Sequence, residues 1–217
     1  MAGRNFSICF ICRGNRFRSP LAQAFIERLT LGLPVQVSSA GTLEAENAPA
    51  LPEALQIAAL CGVDLSGHRS RRLSALSLEA ADLVIGFEEA HARHAIIDAG
   101  ALQANTFMFR EFVRLLEECA AAKEPMTVER ARTAVTLAND LRRRDPTAAG
   151  EDTGVPDPLG RSWKVQKEIA VQVRDLSLAL SEHVFGVAGS EILLPVPEKI
   201  RRHPRWRWRP RGNRLLR

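Results

Sequence analysis

"ICFICRGNRFRSPLAQAFIERL", residues 8–29, decides how the chain reads. An apolar run stops at Cys12. A short loop follows, with Gly14 and Asn15 set among Arg13, Arg16 and Arg18. Ser19-Pro20 then opens a segment in which Leu21, Phe25, Ile26 and Leu29 recur at helical spacing. The pattern is strand, tight basic loop, helix. In open α/β sheets ligands bind beyond the carboxyl ends of strands, and a helix amino terminus offers unpaired N–H groups and partial positive charge there. Backbone N–H groups of such a loop can surround a phosphate, and Arg18 adds a fork for two of its oxygens. A cysteine in that field is favoured as its thiolate. Cys12 is therefore expected to be a nucleophile facing a bound phosphorus atom, with Ser19 donating a hydrogen bond to the sulfur. Gly14 and Asn15 suit the positive φ that a phosphate-wrapping loop needs. Cys9 reads as a small buried apolar residue.

The remaining pattern alternates in the same way. Residues 6–12, 34–39, 81–87 and 105–109 read as strands, and 19–31, 50–62, 88–100 and 163–186 as helices, with Gly62 and Gly100 as stops. Alternation of this kind predicts a parallel sheet with helices on both faces. Residues 110–145 hold two further helical patterns separated by Pro125, and "DPTAAGEDTG" (145–154) leads back. This predicts an inserted helical hairpin, which either covers the mouth of the site or extends the core.

Of 217 residues, 46% are apolar, enough for one α/β domain. No run approaches the ~18–20 apolar residues of a membrane helix, and no secretory signal is read at the amino end. Cys9, Cys12, Cys61 and Cys119 are read as free thiols and not as a metal site. The expectation is a cytoplasmic protein with free thiols and no cofactor or metal. The net charge of +5 is uneven: residues 190–217 hold nine Lys or Arg against two Glu, which leaves residues 1–189 at −2. The domain reading is thus residues 1–189 with an insertion at about 110–150, followed by a basic Pro/Arg/Trp-rich tail, 190–217. The tail is a solvated extension, or it binds an anionic lipid, a polyanion or an acidic protein. Trp206 and Trp208 between arginines suit stacking or a membrane interface.

The stretch from Cys12 to Ser19 resembles the active-site signature of the low-molecular-weight protein tyrosine phosphatases. "SSAGT" (38–42), "GHRSRRL" (67–73), "DLVIGFE" (82–88) and "PDPLG" (156–160) are similar to further segments of that family. The match covers about residues 6–110 and 155–187. The resemblance implies a four-stranded parallel sheet of order 2-1-3-4, the three-layer phosphatase fold. It implies hydrolysis of phosphotyrosine in proteins, with no cofactor. Cys12 then resembles the nucleophile, Arg18 the phosphate clamp and Asp157 the general acid. Arg13, Gly14, Asn15, Arg16, Phe17 and Arg18 would form the phosphate cradle. Asn15, Ser19, Ser39 and His68 would support it. Asp157-Pro158 is preferred to Asp145-Pro146 as the acid, because Asp145 follows an arginine run and reads as a helix end. His91 and His94 read as an exposed helix face.

The chain also departs from the family pattern. Phe17 stands where many members carry a second loop cysteine, so Cys12 is expected to be open to over-oxidation. The aromatics that would sandwich a phosphotyrosine ring are absent: Leu159 follows Asp157-Pro158, and Glu44, Ala45 and Glu46 follow "SSAGT". Phe17, Phe87 or the inserted helices are the candidate walls. Arg16, a second cation at the rim, should favour acidic substrates and disfavour phosphoarginine. Two rivals remain. A phosphoprotein-binding or scaffold module would keep the loop and turn over slowly. An arsenate reductase would need a cysteine pair near Cys12; the end of the third strand, "GFEEAHA", has none, and Cys61 and Cys119 are far apart in sequence.

Overall fold

The computed structural model describes residues 4–44, 46–119, 127–148, 150–151, 153–189 and 191–197. The elements run β1 (Phe6–Cys12), α1 (Arg18–Leu29), β2 (Val35–Gly41), α2 (Pro52–Leu60), β3 (Leu83–Gly86), α3 (Glu89–Ala99), β4 (Thr106–Met108), α4 (Phe109–Glu118), α5 (Val128–Arg144) and α6 (Trp163–Leu180). The four strands form one parallel sheet of order β2-β1-β3-β4. This is the topology that the resemblance implied.

Alternation along β1 builds two cores. Phe6, Ile8, Phe10 and Cys12 face the larger one, with α1, α2, α4, α5 and α6. Cys9 and Ile11 face a smaller one beneath α3, formed with Ala95 and Ala99. Period-2 alternation on a strand buried on both faces requires this division. Phe10 is wholly buried, and a side chain of that size contributes about 1.5–3 kcal/mol by leaving water. Gly100 closes α3 with φ 71°, the left-handed cap that glycine adopts at least cost. The last helix stops earlier than its apolar pattern suggests. It ends at Leu180, widens into a π turn at Ser181–Phe185 and closes at Gly186.

The inserted helices do not cover the site. α5 lies at the amino ends of the strands, at the opposite end of the sheet from the Cys12 loop. Arg132 Nε bonds Asp82 Oδ1 at 2.9 Å, just before β3, and Arg132 also reaches the Arg4 carbonyl. Arg142 donates to the carbonyls of Gln103 and Thr106 at 2.9 and 2.8 Å, at the foot of β4. Its guanidinium lies 4.0 Å from the centre of the Phe107 ring. Ala131, Val135 and Ala138 of α5 join the main core. The hairpin therefore extends the core, and by Val155, whose N–H bonds the Phe87 carbonyl at 2.7 Å, the chain is back at the Cys12 end of the sheet. Residues 120–126, which include the last three positions of the expected first insertion helix, lie outside the described residues.

Packing also continues past Gly186, where the sequence suggests that the body ends. Leu193 is fully buried, Leu194 N bonds the Cys61 carbonyl at 3.3 Å, and Arg174 donates to the Leu193 and Leu194 carbonyls. The tail beyond Pro197 lies outside the described residues, as do Trp206 and Trp208. Among the described residues no helix is long and apolar enough to cross a membrane.

Because α5 is pinned far from the loop, breaking its tether should cost stability and spare chemistry. Arg132→Ala should lower stability by about 1 kcal/mol, roughly 2–4 °C in Tm. Turnover of a small aryl phosphate should stay within about twofold. Thermal unfolding and steady-state kinetics on the same preparation check both.

Candidate active site

Local chemistry folds the loop after β1. The Cys12 and Arg13 carbonyls accept from Thr42 N (3.1 Å) and Leu43 N (2.9 Å), so the chain after β2 straps the loop down. On the other side Leu51 N donates to the Arg16 carbonyl at 2.7 Å. Gly41 allows this approach. A Cβ there would lie 2.9 Å from the Arg13 carbonyl oxygen and 3.0 Å from Asn15 N, closer than real side chains come to backbone.

Asn15 is the hub. It takes φ 49°, a left-handed turn that Asn tolerates, and is fully buried. Its Nδ2 donates to Ser19 Oγ at 2.9 Å and Ser39 Oγ at 2.8 Å. Its Oδ1 accepts from Arg71 N at 2.9 Å, and its carbonyl accepts from His68 Nε2 at 2.7 Å. A carbonyl only accepts, so His68 carries its proton on Nε2. Burial, opposed by that hydrogen bond and reinforced by Arg71 and Arg69, holds His68 below its ordinary pKa. The neutral ring is therefore the working form. Ser39 passes its own hydrogen to Gln23 Oε1 at 2.6 Å. Ser19 Oγ, already accepting from Asn15, lies 3.0 Å from Cys12 Sγ and 3.4 Å from the Ala40 carbonyl, so its hydrogen has the sulfur as the nearer acceptor. Asn15 N also donates to that sulfur, at 3.3 Å.

The sequence expectations for Gly14 and Asn15 separate here. Only Asn15 has the positive φ. Gly14 does not, and open space faces its missing Cβ. Among the described residues, the N–H groups of Arg13, Gly14, Arg16 and Phe17 donate to no backbone carbonyl. The amino end of α1 has no side-chain cap and no acid in its first turn. The loop and the helix end thus offer converging donors to an anion.

Arg18 is 1% exposed, and a buried cation must be matched. Glu88 Oε1 accepts from its NH1, as does the Val155 carbonyl at 2.8 Å. The NH2 group lies 3.5 Å from Asp157 Oδ1. Phe87 packs its ring face 5.8 Å from the guanidinium carbon. Arg13 NH1 approaches the other Asp157 oxygen at 3.9 Å. Asp157 Oδ1 also accepts from Leu159 N at 3.2 Å, which holds the carboxylate over the pocket. Asp145, the competing Asp-Pro, caps α5 and binds Thr147 instead, at the far end of the sheet.

Cys12, Arg13, Gly14, Arg16, Phe17, Arg18, Leu43, Leu51, Asp157 and Leu159 line one pocket. Its walls are aliphatic: Leu43, Leu51 and Leu159 stand where aromatics were missed. Of the aromatic candidates, Phe17 reaches the lining. Phe87 is buried behind Arg18 against Phe109. Neither α4 nor α5 contributes a lining residue. Ser39 and His68 lie behind the loop, as its supports.

Sequence reasoning missed Glu88, the Val155 carbonyl, Gly41 and Gln23. A carboxylate just past the carboxyl end of a buried strand that pairs with β1 is a signal that could have found Glu88. His91 also departs from expectation. It is 4% exposed, and its Nδ1 is buried without a partner. Burial first, then the nearby Arg18 charge, push it down to about 4. His94 is exposed as expected and pairs with Asp98 at 2.7 Å.

The tight passage at Gly41 gives a test. Gly41→Ala should leave the protein folded but displace the Arg13–Asn15 backbone. It should lower kcat for a small aryl phosphate by about 10², the size of loss that misplacement by an ångström produces. Kinetics together with circular dichroism measure it.

Comparison with known proteins agrees with this architecture. Residues 7–139 match the family model described as low molecular weight phosphotyrosine protein phosphatase. The chain is similar to the low molecular weight protein-tyrosine-phosphatase Etp of Escherichia coli, with 32% identity over 111 residues, 51% of this chain and 74% of the relative. It is also similar to a protein-arginine-phosphatase of Bacillus subtilis, with 32% identity over 108 residues, 49% of this chain and 71% of that one. The crystal structure of the low molecular weight protein tyrosine phosphatase from T. tengcongensis superposes with a TM-score of 0.58 at 26% identity, covering 82% of this chain and 99% of the other. The strand order, the Cys12 loop and these matches place the chain in the low molecular weight phosphotyrosine protein phosphatase family.

Proposed function

We propose that this chain hydrolyses phosphotyrosine monoesters in proteins through a phosphocysteine on Cys12. The observation that carries this reading is the floor of the pocket. Cys12 Sγ sits between Asn15 N and Ser19 Oγ, under a loop of free N–H donors, with Asp157 at the wall. A phosphate dianion in that cradle meets loop amides, the α1 terminus and the Arg18 guanidinium. Glu88 and Val155 hold Arg18 so that its second nitrogen faces the pocket. The Cys12 thiolate attacks phosphorus, the P–O bond to the phenol breaks, and Asp157 supplies the proton that the leaving oxygen takes up. The same carboxylate then removes a proton from water as water attacks the phosphocysteine. Sulfur leaves as thiolate, stabilised by the Ser19 hydroxyl and Asn15 N–H. Leu43, Leu51 and Leu159 flank the ring.

The leaving group decides between the two substrates named for the relatives. Phosphoarginine would place a cationic guanidinium beside Arg13 and Arg16, where like charges repel. A phenol carries no such charge, so we favour phosphotyrosine. Arsenate reduction has no support, since Cys12 is the only cysteine among the pocket-lining residues.

We place the catalytic unit within residues 1–197, with its helical insertion, and the activity in the cytoplasm, where the thiol stays reduced. The basic tail from residue 198 is read as a contact for an anionic surface. Deleting 198–217 should leave aryl phosphate turnover within about twofold. It should also abolish heparin retention at low salt, because screening acts over ~10 Å at ~0.1 M. Collapse of turnover on truncation would contradict a dispensable tail.

Substitutions test the mechanism. Cys12→Ser should abolish turnover yet keep phosphate or vanadate binding, which separates an enzyme from a binding module. Asp157→Asn should lower turnover of phenyl phosphate by ~10²–10⁴, and by less when the leaving group is p-nitrophenol. Asp145→Asn should change little. Activity of Cys12→Ser above a few per cent of wild type defeats the covalent route.

A further inference from the structure

The charge around the pocket mouth is not balanced, and the imbalance selects a substrate. Arg16 lines the pocket, and its Nε is held by the Pro49 carbonyl at 2.8 Å. Pro49 forms an antiparallel bridge with Arg69, which brings Arg69 to the same edge of the mouth. The NH1 group of Arg69 bonds the His68 and Ser66 carbonyls at 2.7 and 3.3 Å. All these partners are carbonyls. They orient a guanidinium and leave its full charge in place.

Two other arginines of this end have carboxylate partners, while Arg71, behind the loop, donates to the Ser39 carbonyl at 3.1 Å. Arg18 is matched by Glu88. Arg72 is matched by Glu44 at 3.2 Å and Glu46 at 2.7 Å, so neither acid is available to the mouth. Asp64 is turned back onto Ser66 N and Oγ, both at 2.8 Å. Among the described residues no carboxylate lies within ion-pair distance of Arg16 or Arg69. Arg13, with its side chain 58% exposed, has only Asp157 at 3.9 Å. That partner is lost when Asp157 is protonated to act as the acid. The apolar walls Leu43, Leu51 and Leu159 hold a ring and offer nothing polar to the residues beside it.

We propose that this site takes phosphotyrosines flanked by carboxylate side chains, and that Arg16 and Arg69 read those flanks. The inference rests on the phosphatase reading above. A glutamate or aspartate beside the phosphotyrosine meets an unmatched guanidinium at the rim, and a lysine there meets like charge. The contribution is electrostatic and solvent-exposed, so it acts on kcat/KM and falls with salt.

The test uses the full chain and three phosphotyrosine peptides identical except for Glu, Gln or Lys on either side of the phosphorylated residue. The Glu peptide should exceed the Gln peptide in kcat/KM by about fivefold at ~0.05 M salt, and by less than about twofold at ~0.5 M, where screening is short-ranged. The Lys peptide should be slowest. Arg69→Gln should cut the Glu-over-Gln ratio to about twofold while phenyl phosphate turnover stays within about twofold. Arg16→Gln should cut the same ratio. Arg28→Gln, at the far end of α1, should leave it unchanged. The ratio is read within each protein, so a general loss of activity cancels. Equal kcat/KM for the Glu and Lys peptides overturns the proposal, as does a preference unchanged in both rim variants. Failure of the wild type to hydrolyse phenyl phosphate in a Cys12-dependent way overturns the phosphatase reading itself, and this inference with it.

Discussion

The catalytic end of this protein depends on the burial of one amide, that of Asn15. Its two amide hydrogens, its side-chain oxygen and its backbone carbonyl tie four pieces of chain together: α1 through Ser19, β2 through Ser39, the segment at Arg71, and the turn at His68. Asn15 itself is fully buried, where an unmade hydrogen bond costs about 1–3 kcal/mol. The four bonds thus specify a single loop geometry. The Asn15 N–H reaches Cys12 Sγ, and the Ser19 hydroxyl has that sulfur as its nearer acceptor, with the Ala40 carbonyl farther off. Structure and the proposed chemistry meet at that sulfur: the bonds that fix the loop also bring the Asn15 N–H and the Ser19 hydroxyl to Cys12 Sγ.

A second constraint joins the sheet to the returning chain. Arg18 is a cation in a nearly dry setting, and it persists there because Glu88, at the end of β3, and Val155, at the end of the insertion, both accept from it. The Val155 contact brings Asp157 over the pocket two residues later. The excursion through α4 and α5 bears on the site at its two ends: Phe109 backs the Phe87 ring behind Arg18, and Val155 returns to Arg18. The tethers of α5, Arg132 to Asp82 and Arg142 to the foot of β4, lie at the other end of the sheet.

What the sequence revealed follows from how local each signal is. The strand-loop-helix at Cys12, the parallel sheet and the glycine stop at Gly100 are written in short periodic or turn-forming stretches, while the strand order came from the family resemblance. Glu88 was hidden because its role is set by a guanidinium seventy positions away. The Val155 contact uses a carbonyl, which any residue supplies. Gly41 looked like one member of a short motif, and its need became visible only with the Arg13 backbone against it. His91 was read as exposed because a histidine among polar neighbours resembles a surface, whereas tertiary packing turned it toward Arg18. The position of the hairpin could not be inferred either, since an amphipathic pair of helices states which face it buries and not against which end of a sheet.

The central claim is that phosphate passes through the Cys12 sulfur. The most direct measurement is rapid acid quench of the enzyme during turnover of an aryl phosphate, followed by mass spectrometry of the peptide that spans residues 8–18. The account predicts a phosphate mass on that peptide, localised to Cys12 and accumulating further when Asp157 is replaced by Asn and the leaving group is activated. Turnover at full rate with no phosphate on Cys12, or with phosphate on another side chain, would contradict it.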